Sequence, residues 1–166
     1  MRYVIHKDVS KLKYALIMEL YEDDNRMTGD QEYAGLPANE ALLLAEQDAY
    51  GYLTEVFFAV SSAFMVILES DGKYVSGLRL EPYMDGWLLT GLMTHASFRR
   101  RGCASALLHY ALGQLPAAAK VYSHVEQSNT CSLRFHKKYG FQLHQTWARM
   151  LNGEILHNYW TFLLQK

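Results

Sequence analysis

One stretch, WLLTGLMTHASFRRRGCASALLHYALGQL at positions 87–115, constrains the fold of this chain more than any other. It opens as an apolar run of strand length, residues 87–94, and passes through a short polar link to Arg99, Arg100, Arg101 and Gly102. Beyond the glycine, Ala104, Leu107, Leu108, Ala111, Leu112 and Leu115 recur with the spacing of one helix face, and Pro116 stops the helix. A strand, a glycine-bearing turn and a helix in that order make an anion site. The first N–H groups of a helix lack intrahelical partners and carry the positive end of its dipole. Small residues at Gly102, Cys103, Ala104 and Ser105 let an anion approach the backbone, and the arginines add fixed positive charge. The pattern predicts a diphosphate cradle. Two plainer readings stand beside it: a glycine serving only the turn, and a solvated arginine surface. A nucleic-acid patch fits poorly with a formal charge of −1 and a pI near 6.6. No Walker loop is present, because the chain has no G-x-x-x-x-G-K-[ST].

Arg99-Arg100-Arg101-Gly102-Cys103-Ala104 resembles the acyl-CoA-binding segment of the GNAT N-acetyltransferase superfamily, R/Q-x-x-G-x-G/A, with Phe98 in the place of its usual aromatic. A second family element is an Asn followed by a helix that ends in Gly-Phe. Here it runs from Asn129 to Gly140 and Phe141, with the spacing kept. The likeness extends over residues 62–166, whereas the first sixty are family-like only in being helical.

The resemblance implies that acetyl-CoA is the co-substrate. Backbone groups of Leu92, Met93 and Thr94 would meet its pantetheine arm. Arg99, Arg100, Arg101, Gly102, Cys103, Ala104 and Ser105 would hold its pyrophosphate, and Asn129 would bond the arm near the thioester. Two positions depart from the family. His136 stands where members often carry a tyrosine that protonates the departing thiolate, and His124 stands where one branch carries a glutamate base. Histidine titrates near neutrality and can serve either transfer. Tyr139 competes for the acid role, and Glu81 and Glu126 are other base candidates, although a carboxylate at a strand end is usually just exposed. Direct transfer needs no acyl-enzyme, so Cys103 is not expected to act as a nucleophile.

The length of 166 residues, half of them hydrophobic, suits one domain with a real core. The N-terminus, MRYVIHKDVSK, has no apolar h-region. The longest apolar run, residues 56–68, is broken by Ser61 and Ser62 and is shorter than the ~20 residues of a membrane span. Only Cys103 and Cys131 are present, with no repeated C-x-x-C, which argues against zinc and against a disulfide framework. A soluble protein of the reducing cytoplasm, with no metal, membrane or nucleic-acid partner, is expected.

In chain order, residues 3–6 form a strand. Asp8 or Ser10 caps a helix that places Val9, Leu12, Leu16 and Leu20 on one face and runs out at Glu22, Asp23 and Asp24. Residues 25–37, with Gly29, Gly35 and Pro37, read as a loop, and Asn39 caps a second helix to about residue 52. Strands at 63–69 and 74–80 flank Asp71-Gly72, and a turn at 83–86 leads into the strand at 87–94. The strand at 120–125 is parallel to its neighbour because a helical crossover intervenes. A helix opens at Asn129, Gly140 closes it, and strands at 141–150 and 154–164 surround Asn152-Gly153.

The sum is a single GNAT-like α/β (α+β) domain over residues 1–166, with a mixed, mostly antiparallel sheet of about seven strands and about four helices. Residues 1–60 would face the acceptor, and residues 62–166 would form the acetyl-CoA-binding core. The expected function is an acetyl-CoA-dependent N-acetyltransferase in which a primary amine, on a small molecule or a peptide N-terminus, attacks the thioester directly. Its rival is a non-catalytic acyl-CoA-binding module. Oligomeric state stays open, a homodimer included.

Overall fold

The computed structural model describes all 166 residues. Seven strands form one sheet in the order β1-β2-β3-β4-β5-β9-β6. They are β1 (Arg2–His6), β2 (Phe64–Ser70), β3 (Lys73–Tyr83), β4 (Gly86–Thr94), β5 (Lys120–Glu126), β6 (Gln142–Gln145) and β9 (Tyr159–Gln165). Two short strands, β7 (Ala148–Arg149) and β8 (Ile155–Leu156), pair as a separate ribbon. Five α-helices accompany them: α1 (Tyr14–Leu20), α2 (Glu22–Glu32), α3 (Ala38–Gly51), α4 (Cys103–Gly113) and α5 (Thr130–Lys138). The mixed, mostly antiparallel sheet is the one expected. β4 and β5 run parallel through the α4 crossover, whereas β1 with β2, β5 with β9 and β6 with β9 are antiparallel.

Cα packing divides the chain into two compact units, Met1–Arg79 with Gly91–Ala111 and Leu80–Thr90 with Leu112–Lys166. The first has a core of Leu12, Ile17, Met18, Leu20, Leu53, Phe57, Met65, Ile67 and Tyr74. Tyr83, Leu88 and Tyr122 form a cluster in the second, with Leu163 packed against it. No helix is long and apolar enough to cross a membrane.

The largest departure from the sequence reading is α2, which occupies residues read as a loop. Glu22, Asp23 and Asp24 fall in its first turn, where carboxylates favour the helix dipole, and Arg26 pairs with Glu22 one turn back at 2.6 Å. Gly29, which reads as a breaker, is buried inside the helix. A Cβ there would stand 2.9 Å from the Ala41 carbonyl oxygen of α3, so the glycine marks a close helix–helix approach. Gly35, at φ +98°, makes the actual break. A Gly29→Val chain should lose about 2 kcal/mol by forcing the two helices apart. Urea unfolding would read this as a lower midpoint, and an unchanged midpoint would count against the contact.

Smaller departures follow the same logic. Asp8 does not cap α1; its Oδ1 accepts from the Ser10 amide at 2.8 Å in a turn, and the helix begins at Tyr14. Pro37, not Asn39, precedes α3, which continues into a π-helical segment, Tyr52–Phe57. Asn152-Gly153 does make the tight turn, but its flanks are the short β7–β8 ribbon. The β6–β9 ladder carries an irregularity between Leu143 and Gln145.

Candidate functional site

After β4 the chain makes a 3₁₀ turn (Ala96–Phe98), capped by His95, whose Nδ1 accepts from the Ser97 amide at 3.2 Å. The turn residues then alternate in hand: Arg100 has φ +62°, Arg101 is negative and Gly102 has φ +79°. Such alternation aims successive N–H groups into one concavity, an anion nest. Rungs of α4 begin with the Ala106 amide donating to Gly102 O at 3.0 Å, so the amides of Cys103, Ala104 and Ser105 precede the first rung. Nothing lies within 4 Å of where a Gly102 Cβ would stand. The approach to this backbone is open.

The three arginines have different surroundings. Arg99 is held in place, its Nε donating to the Thr94 carbonyl at 3.0 Å and its Nη2 pairing with Asp23 of α2. Arg101 lies over the Phe98 ring with Cζ 5.6 Å from the centroid, which gives the family's aromatic a role as a platform. Arg100 is exposed and carries the left-handed backbone of the nest.

Leu92, Met93 and Thr94 are the last three residues of β4, beyond Gly91, which sits at φ +57°. Side chains from neighbouring elements anchor this segment. The Tyr21 hydroxyl donates to Gly91 O at 2.6 Å, and burial pushes its pKa up to about 12, which keeps the donor protonated. Ser76 Oγ donates to Met93 O at 2.6 Å and lies 2.9 Å from Thr94 Oγ1. One residue further, His95 Nε2 meets Glu19 at 3.1 Å, and Glu19 also takes Lys73.

The other residues singled out from sequence lie in the second unit. Asn129 caps α5, its Oδ1 accepting from the Ser132 amide at 3.0 Å, which leaves the amide nitrogen as its donor end. His136 is 4% exposed. Its Nδ1 donates to Ser132 O at 2.8 Å and its Nε2 accepts from Ser123 Oγ at 2.8 Å, so one neutral tautomer satisfies both contacts. Burial lowers its pKa, with the Ser132 hydrogen bond opposing. Tyr139, half-buried, ends α5 and packs on Phe135 with ring centroids 4.7 Å apart.

His124 is held differently. Thr161 Oγ1 donates its hydrogen to Trp147 O at 2.7 Å, so toward His124 Nδ1, 3.1 Å away, that oxygen can only accept. Nε2 lies 3.1 Å from Arg149 O, also an acceptor. A neutral ring can donate to only one of the two. Burial still lowers the pKa, and the Arg149 contact opposes it.

Glu81, a base candidate from sequence weighed against ordinary exposure at a strand end, is buried inside β3. Ser76, Tyr21, Ser123 and Thr161 escaped the sequence reading altogether. Their roles depend on partners from 13 to 70 residues away, and no local pattern signals them. No three His, Cys, Asp or Glu side chains are grouped to hold a metal.

The ionisation of His136 has a measurable consequence. Its folded pKa lies below the ordinary value of about 6.5, so as pH falls below 6.5 the unfolded chain binds the proton first and stability drops. In His136→Phe the acid-side slope of unfolding free energy should shrink by up to one proton, about 1.4 kcal/mol per pH unit. Denaturant melts between pH 7 and 5 check this, and an identical slope in the variant would contradict it.

Comparison with known proteins adds the family. The family model described as Acetyltransferase (GNAT) family matches residues 16–141, and so takes in most of α1, all of α2 and α3, and the turn before α4. No curated protein matches the sequence. Among solved structures, the PaiA N-acetyltransferase from Thermoplasma acidophilum, solved in complex with coenzyme A, is 15% identical with a TM-score of 0.66, over 100% of both chains. The ribosomal-protein-S18-alanine N-acetyltransferase from Escherichia coli is 14% identical with a TM-score of 0.59, over 99% of this chain and 94% of that one. Aminoglycoside 6′-acetyltransferase type Ii is 15% identical with a TM-score of 0.61, over 98% and 96%. At such identities the structures establish a shared fold, and it is the family match across most of the sequence that places this chain in the GNAT acetyltransferase family.

Proposed function

We propose that the protein transfers an acetyl group from acetyl-CoA to a primary amine by direct attack on the thioester. The observation that carries this reading is the sign alternation of φ at Arg100, Arg101 and Gly102 immediately before α4, with open space at Gly102. A nest continuous with a helix N-terminus suits a pyrophosphate, and Arg100 and Arg101 supply countercharge. In this reading the backbone of Leu92, Met93 and Thr94 binds the pantetheine arm, an N–H at Met93 or Thr94 stabilises the oxyanion, and the Asn129 amide nitrogen donates to the arm. Arg99 positions the turn by bonding Thr94 and Asp23.

The attacking amine must lose a proton, with reference pKa values of about 7.7 for an α-amino group and about 10.4 for lysine. His124 is the base in this proposal, acting directly or through water, because its ring meets two acceptors and a neutral ring can satisfy only one. The donor to the leaving thiolate is Tyr139 rather than His136. His136 has its single proton committed to Ser132 and its Nε2 committed to the Ser123 hydroxyl. It fastens α5 to β5 instead.

Thiol release from acetyl-CoA across a panel of primary amines tests the reaction, with turnover expected for at least one amine and loss of at least tenfold in His124→Phe. Binding of acetyl-CoA without turnover on any amine would favour a non-catalytic acyl-CoA-binding module. Oligomeric state and a cytoplasmic location remain expectations of the reading, checked by sedimentation and by localisation.

A further inference from the structure

Arg79 is the last residue of the first segment of its unit, and its guanidinium rests on the backbone of β4. A Cβ at Gly91 would stand 2.9 Å from both its Nε and its Nη2 and 3.2 Å from Cζ, so the arginine occupies the space that a side chain at 91 would fill. Two aromatic rings flank it, Tyr52 with Cζ 5.3 Å from the centroid and Phe57 at 5.8 Å. Its Nε is buried and donates to nothing. Arg79 enters none of the ion pairs of the fold. Asp24 lies near enough to feel its charge, burial raising that carboxyl's pKa and the Arg79 charge opposing, yet no ion pair joins the two, and the Tyr21 hydroxyl, which donates to Gly91 O, makes no hydrogen bond to it.

A buried cationic donor without an acceptor is costly, and a guanidinium fork matches a carboxylate in both charge and shape. We propose that Arg79 anchors a carboxylate of the acceptor, so that the preferred substrates are amino acids rather than polyamines or aminoglycosides. This rests on the acetyltransferase reading. Gly91 directly precedes Leu92, Met93 and Thr94, the segment assigned to the thioester arm. Gly91 lies two to three strand residues, ~7–10 Å, from Met93 and Thr94, a span filled by a guanidinium–carboxylate hydrogen bond of ~2.8 Å, a short α- or β-amino acid and an attack distance of ~3 Å. Arg79 acts here as a specificity determinant and takes no part in proton transfer.

The experiment compares matched pairs, glycine with glycinamide, alanine with alaninamide and β-alanine with its amide, and adds putrescine. Thiol release with acetyl-CoA and calorimetric binding to the protein are both measured, for the native chain and for Arg79→Met and Arg79→Lys. The native protein should favour each carboxylate over its amide at least tenfold. Arg79→Met should lose that preference to within twofold, with KM for acetyl-CoA changed less than twofold. Arg79→Lys, which keeps the charge without the fork, should retain part of the preference and guards against a fold defect in the methionine variant.

Amides or putrescine used as well as the carboxylates, a preference that survives in both variants, or no measurable carboxylate binding would each overturn the assignment. Absence of coenzyme binding would instead sink the acetyltransferase reading, and the calorimetric contrast between carboxylate and amide would still decide the role of Arg79.

Discussion

A Gly86→Val chain is expected to melt well below the native protein. Gly86 opens β4, and a Cβ there would collide with the Lys120 carbonyl oxygen of β5 and stand 2.9 Å from Lys120 Cβ. The parallel register of Trp87 with Val121 begins at the next residue, so neither backbone can retreat without losing a rung. The atom in the way is main chain, which leaves no flexible side-chain end to swing aside. The expected loss is about 3 kcal/mol, toward the upper end of overpacking costs. In a chain of this size that corresponds to about 6–12 °C in melting temperature. A variant melting within about 2 °C of the native chain would show that β4 and β5 do not approach as closely as described.

Ala104→Glu should have the opposite profile, with stability intact and coenzyme binding lost. Ala104 lies in the first turn of α4, where a carboxylate favours the helix dipole by about 0.3–1 kcal/mol. The same charge would occupy the anion site and repel the pyrophosphate. In the proposed reading acetyl-CoA affinity falls about 100-fold, about 2.7 kcal/mol, with the thermal midpoint of the free protein unchanged or slightly raised. Ala104→Gln separates size from charge and should cost less than tenfold. Calorimetry on the two variants decides the matter. Equal, native-like affinity in both would mean that the coenzyme does not seat on the amides of α4.

The strand, turn and helix proposed as the cradle were legible because each part is written in adjacent residues. The apolar run of β4, the glycine at 102 and the leucine stripe of α4 are local patterns, and a helix terminus has the same electrostatics wherever it is placed. The parallel pairing of β4 with β5 followed from the crossover for the same reason. Residues 25–37 were misread because Gly29 was judged by its neighbours in sequence. Its actual reason is the Ala41 carbonyl of another helix.

Ionisation and access were the province of tertiary structure alone. Spacing put His136 and His124 in the same class, two histidines where a family places an acid and a base. Packing separated them. His136 became a buried ring with both nitrogens satisfied, whereas His124 faces two acceptors that it cannot satisfy while neutral. Arg79 gave no signal in the sequence at all, since what singles it out is the missing Cβ of Gly91 on the adjacent strand. Periodicity and turn chemistry are carried by residues a few positions apart, so the chain itself determined its strands, most of its helices and the glycine turn between β4 and α4. Desolvation and hydrogen-bond partners come from residues brought together by the fold, so only the tertiary structure could decide which polar groups are spent and which are left to react.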